Sequence, residues 1–298
     1  MAIYVTGDTH GAQRHGMYSV DGYMQRLSVS AFPEQKTLTK DDFVVIMGDF
    51  GGAWMVNRDR CEELPSEKHD LDWLEGRPFT TLFVPGNHEN YDRLTGCEDE
   101  DLLGGWMFRR MDEAEKEKYR QGYPRVLWHG GYVRQLRPSV LMLERGEFFT
   151  LGDKTCFAFG GARSHDIGDG ILNPVDFETE EVFKESYRDW QDMRRSFRVL
   201  GTSWWRQEMP SGEEMNRARD NIQQFLKSHD QVDFIFTHDC PTSDKVFLGF
   251  SEQDELNGFL EEVRVKLPHH DWFFGHYHDN RSLMDHHFLL YEQIVRIA

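Results

Sequence analysis

Five short apolar runs, each followed closely by aspartate, asparagine or histidine, constrain the fold of this chain more than any other feature of its sequence. Their lengths and their content of β-branched and aromatic residues predict strands. Helix-compatible stretches at about Val20–Ala31 and Glu67–Glu75 separate the first three runs, which gives the order β-α-β-α-β that is typical of α/β sheets. The five runs cover residues 3–6, 43–47, 81–84, 232–236 and 272–274.

Polar side chains at the ends of these runs form a candidate binding site. In α/β sheets ligands bind at the carboxyl ends of the strands, so we expect these side chains to converge. A D-x-H or H-x-H spacing directs both members of a pair to the same side of an extended segment. Divalent transition metals prefer imidazole and carboxylate donors that arrive from several directions. The candidate residues are Asp8, His10, Asp49, Asn87, His88, His238, His276 and His278.

The middle of the chain changes character twice. Residues 102–123 are strongly charged and predict an exposed helix in a surface insertion at about 103–123. Short alternating runs that are separated by glycine or proline follow, and they predict an antiparallel arrangement and the start of a second sheet. These runs cover residues 132–136, 140–143, 148–151 and 155–159.

A segment of weak periodicity precedes the last two apolar runs. Residues 163–210 are rich in Asp, Arg, Ser and Trp, and we expect them to form a cap or lid loop. Ser211 begins a capping-box pattern that predicts the start of a helix. A further helix is expected near Glu252–Val265. We therefore expect a single domain over residues 1–298 that carries the insertion and the cap.

The charge of the chain limits its partners. It has 34 basic and 52 acidic residues, so its formal net charge is −18. Such a surface repels polyanions at long range, which disfavours binding of bulk nucleic acid. Two bound divalent cations would reverse the sign of the field locally, so small phosphoesters remain compatible with this charge.

The N-terminus and the cysteines bear on where the protein is located. Because a strand reaches a polar motif by Asp8, we expect no secretory leader, and no apolar run has transmembrane length. The four cysteines show no CxxC pairing, so we expect reduced, structural thiols and a cytoplasmic location. They are Cys61, Cys97, Cys156 and Cys240.

Two histidine pairs lie outside the five runs. They are His269-His270 and His286-His287, in a chain that has 14 histidines. Because a chain with this many histidines contains adjacent pairs by chance, we expect these four to be surface or core residues.

The blocks that follow the five runs resemble those of the calcineurin-like metallophosphoesterases, whose pattern is D-x-H, G-D, G-N-H-[ED], H and G-H-x-H. All five are present in order, and the resemblance spans residues 3–278. It implies an α/β fold of four layers, α-β-β-α, in which two mixed sheets pack face to face and are flanked by helices. The blocks read Gly7-Asp8-Thr9-His10-Gly11, Gly48-Asp49-Phe50-Gly51-Gly52, Gly86-Asn87-His88-Glu89, Thr237-His238-Asp239 and Gly275-His276-Tyr277-His278.

The resemblance also implies roles for these residues. Asp49 bridges two metal ions, and His88 is free of metal and contacts the phosphoryl group or protonates the leaving group. Two ions roughly 3.5–4 Å apart would lower the pKa of a bridging water, and the resulting hydroxide attacks phosphorus in line. We expect Mn, with Fe, Zn or Ni as alternatives and Mg less suited to so many imidazoles. The ligands implied are Asp8, His10 and His278 for one ion and Asn87, His238 and His276 for the other.

The second block departs from one subfamily. Protein serine/threonine phosphatases carry G-D-x-x-D-R-G there, and the arginine that grips phosphate is absent here. The segment 160–167, with Trp204, Trp205 and Glu208, is similar to an uncharacterised bacterial and phage branch of the family. Cap residues that can recognise a phosphoester by charge or stack on a flat group are Arg163, His165, Asp166 and Trp205.

The sequence therefore predicts a metal-dependent hydrolase of phosphomonoesters or phosphodiesters, with small-molecule or nucleotide substrates favoured. A nuclease or RNA-processing phosphodiesterase and a protein serine/threonine phosphatase are the enzyme alternatives. A metal-binding scaffold without turnover is the alternative from another class, although a scaffold has no chemical reason to keep all seven ligands.

Overall fold

The computed structural model describes residues 1–11, 22–54, 56–57 and 62–298 of the chain. Two large mixed sheets pack face to face, and helices cover both outer faces. This is the four-layer α/β sandwich that the sequence predicts, and the fold class is confirmed.

The first sheet has seven strands in the described part of the chain. Its four central strands run parallel, and the strands at either side are antiparallel to their inner neighbours. In spatial order they are β17 (Val295–Arg296), β1 (Ile3–Thr6), β2 (Phe43–Ile46), β5 (Thr80–Phe83), β8 (Val140–Leu143), β7 (Gly131–Arg137) and β6 (Arg125–Trp128).

The second sheet has six strands among the described residues, and its four inner strands are again parallel. The strands at its two edges pair antiparallel with their neighbours. In spatial order they are β15 (Arg281–Ser282), β16 (His287–Leu289), β14 (His269–Phe274), β13 (Val232–Thr237), β10 (Lys154–Phe159) and β9 (Glu147–Leu151).

Two small ribbons, nine α-helices and five short 3-10 helices complete the described structure. The ribbons pair β3 (Val56–Asn57) with β4 (Glu62–Glu63) and β11 (Gly170–Leu172) with β12 (Phe197–Val199). The helices are α1 (Tyr23–Arg26), α2 (Pro65–Glu75), α3 (Tyr91–Leu94), α4 (Glu100–Gly104), α5 (Glu113–Gln121), α6 (Glu180–Asp192), α7 (Gly212–Phe225), α8 (Thr242–Phe247) and α9 (Glu255–Lys266).

The strands are apolar on both faces because each face is covered. In β1, Ile3 and Val5 join the core between the two sheets, whereas Tyr4 packs in the core under α2. In the second sheet Trp272 packs under α7 and α9, whereas Phe273 points between the sheets. Burial on both faces explains why the predicted strands read as continuous apolar runs rather than as alternating ones.

Three expectations about the elements need correction. The runs between residues 131 and 159 do not form one antiparallel sheet, because β7 and β8 extend the first sheet while β9 and β10 belong to the second. Residues 163–210 are not simply a loop, since they contain the 13-residue helix α6. Within the predicted helix Val20–Ala31, part of which lies outside the described residues, the structure has only α1 and turns.

Two further expectations about helices are confirmed. The charged insertion is helical at α5, and a capping box at Ser211 begins α7. Cys97, Cys156 and Cys240 are buried free thiols, and Cys61 lies outside the described residues. No helix in the described ranges is long and apolar enough to cross a membrane.

Candidate metal centre

The five polar blocks meet at one place, where the carboxyl ends of neighbouring parallel strands of both sheets come together. The first three blocks follow three adjacent strands of the first sheet, and the last two follow two adjacent strands of the second. Asp8 and His10 follow β1, Asp49 follows β2, Asn87 and His88 follow β5, His238 follows β13, and His276 and His278 follow β14.

One group of donors consists of Asp8, His10 and His278, whose ligand atoms all lie within 4.8 Å of one another. The Nε2 atoms of His10 and His278 are 3.0 Å apart. His278 Nε2 also lies 3.1 Å from Asp8 Oδ2. Two ligands of one tetrahedral ion are roughly 3.3 Å apart, given metal–nitrogen bonds of about 2.0–2.1 Å. The three side chains therefore have the spacing of ligands that share an ion.

A second group lies around His238. Its Nε2 atom is 3.3 Å from Asp49 Oδ1 and 3.3 Å from Asn87 Oδ1. The ring of His276 packs edge-on against that of His238 at 5.0 Å between centroids. Asn87, His238 and His276 are the residues that the resemblance implies for the second ion.

Asp49 lies between the two groups. Its Oδ1 atom is close to His238, while its Oδ2 atom lies 3.7 Å from His10 Nδ1. Each carboxylate oxygen of Asp49 therefore lies near a residue of a different group. The backbone N–H of His88 also donates to Oδ1 at 2.7 Å and fixes the carboxylate.

Strained backbone holds several of these donors. Non-glycine residues rarely adopt positive φ, and such strain clusters at functional sites. Four of the proposed ligands have it: His10 (φ 47°), Asp49 (φ 44°), His276 (φ 71°) and His278 (φ 50°).

Glycines in the blocks let backbone approach the donors closely. A Cβ on Gly86 would lie 2.1 Å from Asp49 Oδ1 and 2.7 Å from His238 Nε2. A Cβ on Gly275 would lie 2.2 Å from Asp8 Oδ1. A side chain at either position would therefore occupy the space of the carboxylates, which is why the blocks require glycine there.

The tautomer of His238 is set by the backbone. The ring packs so that Nδ1 lies 2.8 Å from the carbonyl oxygen of Met47, to which an Nδ1–H donates. Nε2 therefore faces Asp49 and Asn87, and it can offer a lone pair to a metal ion once its proton is lost. Burial disfavours the imidazolium, but Asp49 and Asp8 outweigh it and raise the pKa of His238 to about 10. The surroundings of this ring thus favour positive charge.

A buried chain of hydrogen bonds orients Asn87. Its Nδ2 donates to Ser164 Oγ at 3.4 Å, and that hydroxyl donates to Glu208 Oε2 at 2.7 Å. Glu208 also accepts from the Ser164 backbone N–H at 2.9 Å. Because the amide nitrogen is engaged with Ser164, the amide oxygen of Asn87 is turned toward His238 and the second group.

Two further residues hold the loops of the first and second blocks. The guanidinium of Arg26 is buried and donates to the carbonyl oxygens of Gly7 and Asp8, each at 2.9 Å. Glu89 accepts from the backbone N–H groups of Phe50 at 2.6 Å and Gly51 at 3.2 Å. Burial and the nearby charge of Asp49 raise the pKa of Glu89 to about 8. Both residues position backbone rather than ligands.

His88 contacts a cap residue that the sequence did not single out. Its Nε2 lies 3.1 Å from Arg198 Nη2, and Arg198 in turn is paired with Asp166 at 2.6 Å. Burial lowers the pKa of His88 to about 4, with Asp49 opposing and Arg198 contributing. Arg198 lies on β12, 110 residues along the chain from His88. Only its position in the fold distinguishes it from the other arginines of the cap.

The structure separates the four predicted cap residues. Arg163 and His165 are exposed, and the His165 ring lies 6.3 Å from that of His276. Asp166 accepts a hydrogen bond from Arg198, which in turn contacts His88. Trp205 is only 2% exposed and its indole N–H donates to Asp92, so the prediction that it stacks on a substrate is wrong. Its rings are used in packing.

The sequence comparison agrees with this geometry. A sequence model of the calcineurin-like phosphoesterases matches residues 1–280 of the chain. The chain belongs to this family. Its members are metal-dependent phosphoric ester hydrolases. No curated protein matches the chain.

The donors of this phosphoesterase fit divalent metal ions. Imidazoles, carboxylates and one amide form the set, and their spacing matches that of ligands around shared ions. Burial raises the pKa of Asp49, yet the neighbouring imidazoles, His238 above all, hold it well below its ordinary value. Two ionised aspartates at the centre require nearby positive charge, which metal ions supply when bound.

Ser164→Ala tests the chain that orients Asn87. Without the hydroxyl the amide is free to turn, so we expect metal affinity to fall by about 10- to 100-fold. Equilibrium dialysis with metal analysis measures this. Ser228→Ala, at an exposed serine, is the matched control. Equal metal affinity in the Ser164→Ala protein would show that Asn87 needs no such support.

Proposed function

We propose that this phosphoesterase holds two transition-metal ions and hydrolyses a small phosphomonoester or phosphodiester, with nucleotides or other small molecules favoured. The observation that carries the proposal is the position of Asp49, which has one carboxylate oxygen toward each group of donors. Manganese is the favoured metal, and iron, zinc or nickel are alternatives that suit the same imidazole-rich set better than magnesium does.

The proposed ligand sets are those of the family pattern. Asp8, His10 and His278 would hold one ion, Asn87, His238 and His276 the other, and Asp49 both. When bound, the ions supply positive charge for the phosphoryl oxygens and acidify a water to serve as the nucleophile.

His88 is proposed to donate a hydrogen bond to the phosphoryl group of the substrate. With its pKa lowered to about 4, the imidazole is neutral near neutral pH. Arg198 donates to Nε2, so the single ring proton resides on Nδ1. Arg198 thus fixes the tautomer in which His88 can act as a hydrogen-bond donor to the substrate.

Arg198 is also proposed to bind the phosphoryl group. It is 8% exposed, and Asp166 fixes its guanidinium through a bidentate pair. A guanidinium beside His88 supplies the positive charge that the missing arginine of the second block provides in protein phosphatases. In this chain the positive charge comes from the cap. We propose that the cap spans residues 163–210, that it covers the metal centre, and that the whole chain is a single domain.

The net charge of −18 supports small substrates over polyanions. A nuclease remains the enzyme alternative. A protein phosphatase is the weaker alternative, because this chain lacks the arginine that those enzymes carry in the second block. The complete set of donors argues against a scaffold without turnover. Buried free thiols support a reducing compartment, and we propose the cytoplasm, without attachment to a membrane.

A phosphoester panel tests the proposal. The protein would be assayed with a chromogenic phosphate ester and with cyclic and linear nucleotides, each with Mn²⁺, Fe²⁺, Zn²⁺, Ni²⁺ or Mg²⁺. We expect metal-dependent hydrolysis that is highest with Mn²⁺ and that Asp49→Asn removes, since this variant loses the bridging charge. Metal-loaded protein that hydrolyses none of these esters would favour the scaffold, and preference for long polynucleotides would favour the nuclease.

His88→Ala and Arg198→Met separate the chemical roles from metal binding. Each should lower kcat/KM by about 10²- to 10³-fold with unchanged metal content, because neither side chain is a proposed ligand. Arg188→Met, at an exposed arginine of α6, is the control and should retain full activity. Loss of metal from the His88→Ala protein would instead identify His88 as a ligand.

A further inference from the structure

A second cluster of donors lies at the other end of the second sheet. His270, Asp271 and His286 place their ligand atoms within 4.8 Å of one another. His270 Nδ1 is 2.9 Å from Asp271 Oδ2, and His286 Nδ1 is 3.2 Å from Asp271 Oδ1. The two rings meet at 5.6 Å between centroids. A single carboxylate thus lies between two imidazoles.

The cluster is separate from the metal centre. His270 and Asp271 lie at the start of β14, whereas His276 follows its end. Six residues of extended chain span roughly 20 Å. No residue of the five blocks belongs to the cluster, and the chemistry at the metal centre makes no use of it.

We propose that His270, Asp271 and His286 form an additional site for a borderline transition-metal ion such as Zn²⁺, Ni²⁺ or Cu²⁺. Two imidazoles and one carboxylate are a donor set that these ions prefer over Mg²⁺ or Ca²⁺. The nitrogen–oxygen distances in the cluster are close to the roughly 3.3 Å between two ligands of one tetrahedral ion. With three protein donors, the site leaves a coordination position open to water or an external ligand.

Contacts of the neighbouring residues hold the two segments of the cluster together. His269 Nε2 and His287 Nε2 are 3.0 Å apart, and His287 Nδ1 lies 2.5 Å from Asp244 Oδ2. His269 and His287 are the immediate chain neighbours of His270 and His286. The strand β14 and the start of β16 are therefore fixed side by side, with the neighbouring imidazoles directed outward near each other.

The backbone around His286 supports this assignment. Asp285 and His286 both have positive φ, at 58° and 61°. Two successive non-glycine residues in this conformation are costly, and such strain persists where the surroundings fix it. It brings His286 next to Asp271. The side chains of His270 and His286 are 61% and 68% exposed, so an ion can reach them from solvent.

Zinc binding to the whole protein tests the site. Chelator-treated protein would be dialysed against Zn²⁺ and its bound metal counted by mass spectrometry for the wild type and for the His270→Ala/His286→Ala double variant. We expect the double variant to bind one zinc equivalent fewer per chain, with unchanged hydrolysis at the metal centre. The control is His69→Ala, since His69 is an exposed histidine that meets one carboxylate, Asp70, at 3.1 Å.

Chemical protection gives a second readout. Bound Zn²⁺ should protect His270 and His286 from carbethoxylation, as measured by peptide mapping, while His69 stays reactive. Circular dichroism checks that the double variant is folded; because both side chains are exposed, we expect no change. Equal zinc content in the wild type and the double variant, or equal modification of His270 and His286 with and without zinc, would overturn the proposal.

Discussion

The burial of two aspartates, Asp8 and Asp49, at the junction of the two sheets is the constraint on which the rest of the site depends. Their carboxylate oxygens lie within 4.8 Å of each other and of a His238 nitrogen. Like charges that are buried this close cost free energy unless positive charge compensates them. The raised pKa of His238 and the lowered pKa of Asp49 are two expressions of the same field. The site is built to hold cations.

The fold maintains this arrangement through backbone. Parallel strands of both sheets end at one edge, which brings donors from distant parts of the chain together. Close-approaching glycines such as Gly86 leave room for the carboxylates, and strained φ values aim the donors inward. Arg26 and Glu89 then fix the loops by hydrogen bonds to main-chain groups. Ligand geometry is thus set by rigid elements, as metal sites require.

The convergence of these donors could be predicted because the sequence signal for it is local. A donor such as Asp8 or Asn87 follows directly after an apolar strand, and strand ends of one sheet meet wherever the chain order is β-α-β. Arg198 carried no such signal, since it meets His88 only through the path of the cap. The link between Ser164 and Glu208 is equally non-local. Trp205 was misassigned because residue type alone does not distinguish a packing indole from an exposed one.

The prediction of which sheet the middle strands join was wrong for a related reason. The runs at β7–β10 have the alternation and turns of an antiparallel meander, and each neighbouring pair except β8 and β9 does pair that way. Between those two the chain crosses from one sheet to the other, a step that is decided by the core between the sheets and not by local propensity.

Anomalous scattering from crystals soaked in Mn²⁺ tests the central claim most directly. The account predicts two peaks roughly 3.5–4 Å apart, one beside Asp8, His10 and His278 and the other beside Asn87, His238 and His276, with Asp49 between them. A map from soaked crystals with no peak at either position would contradict it.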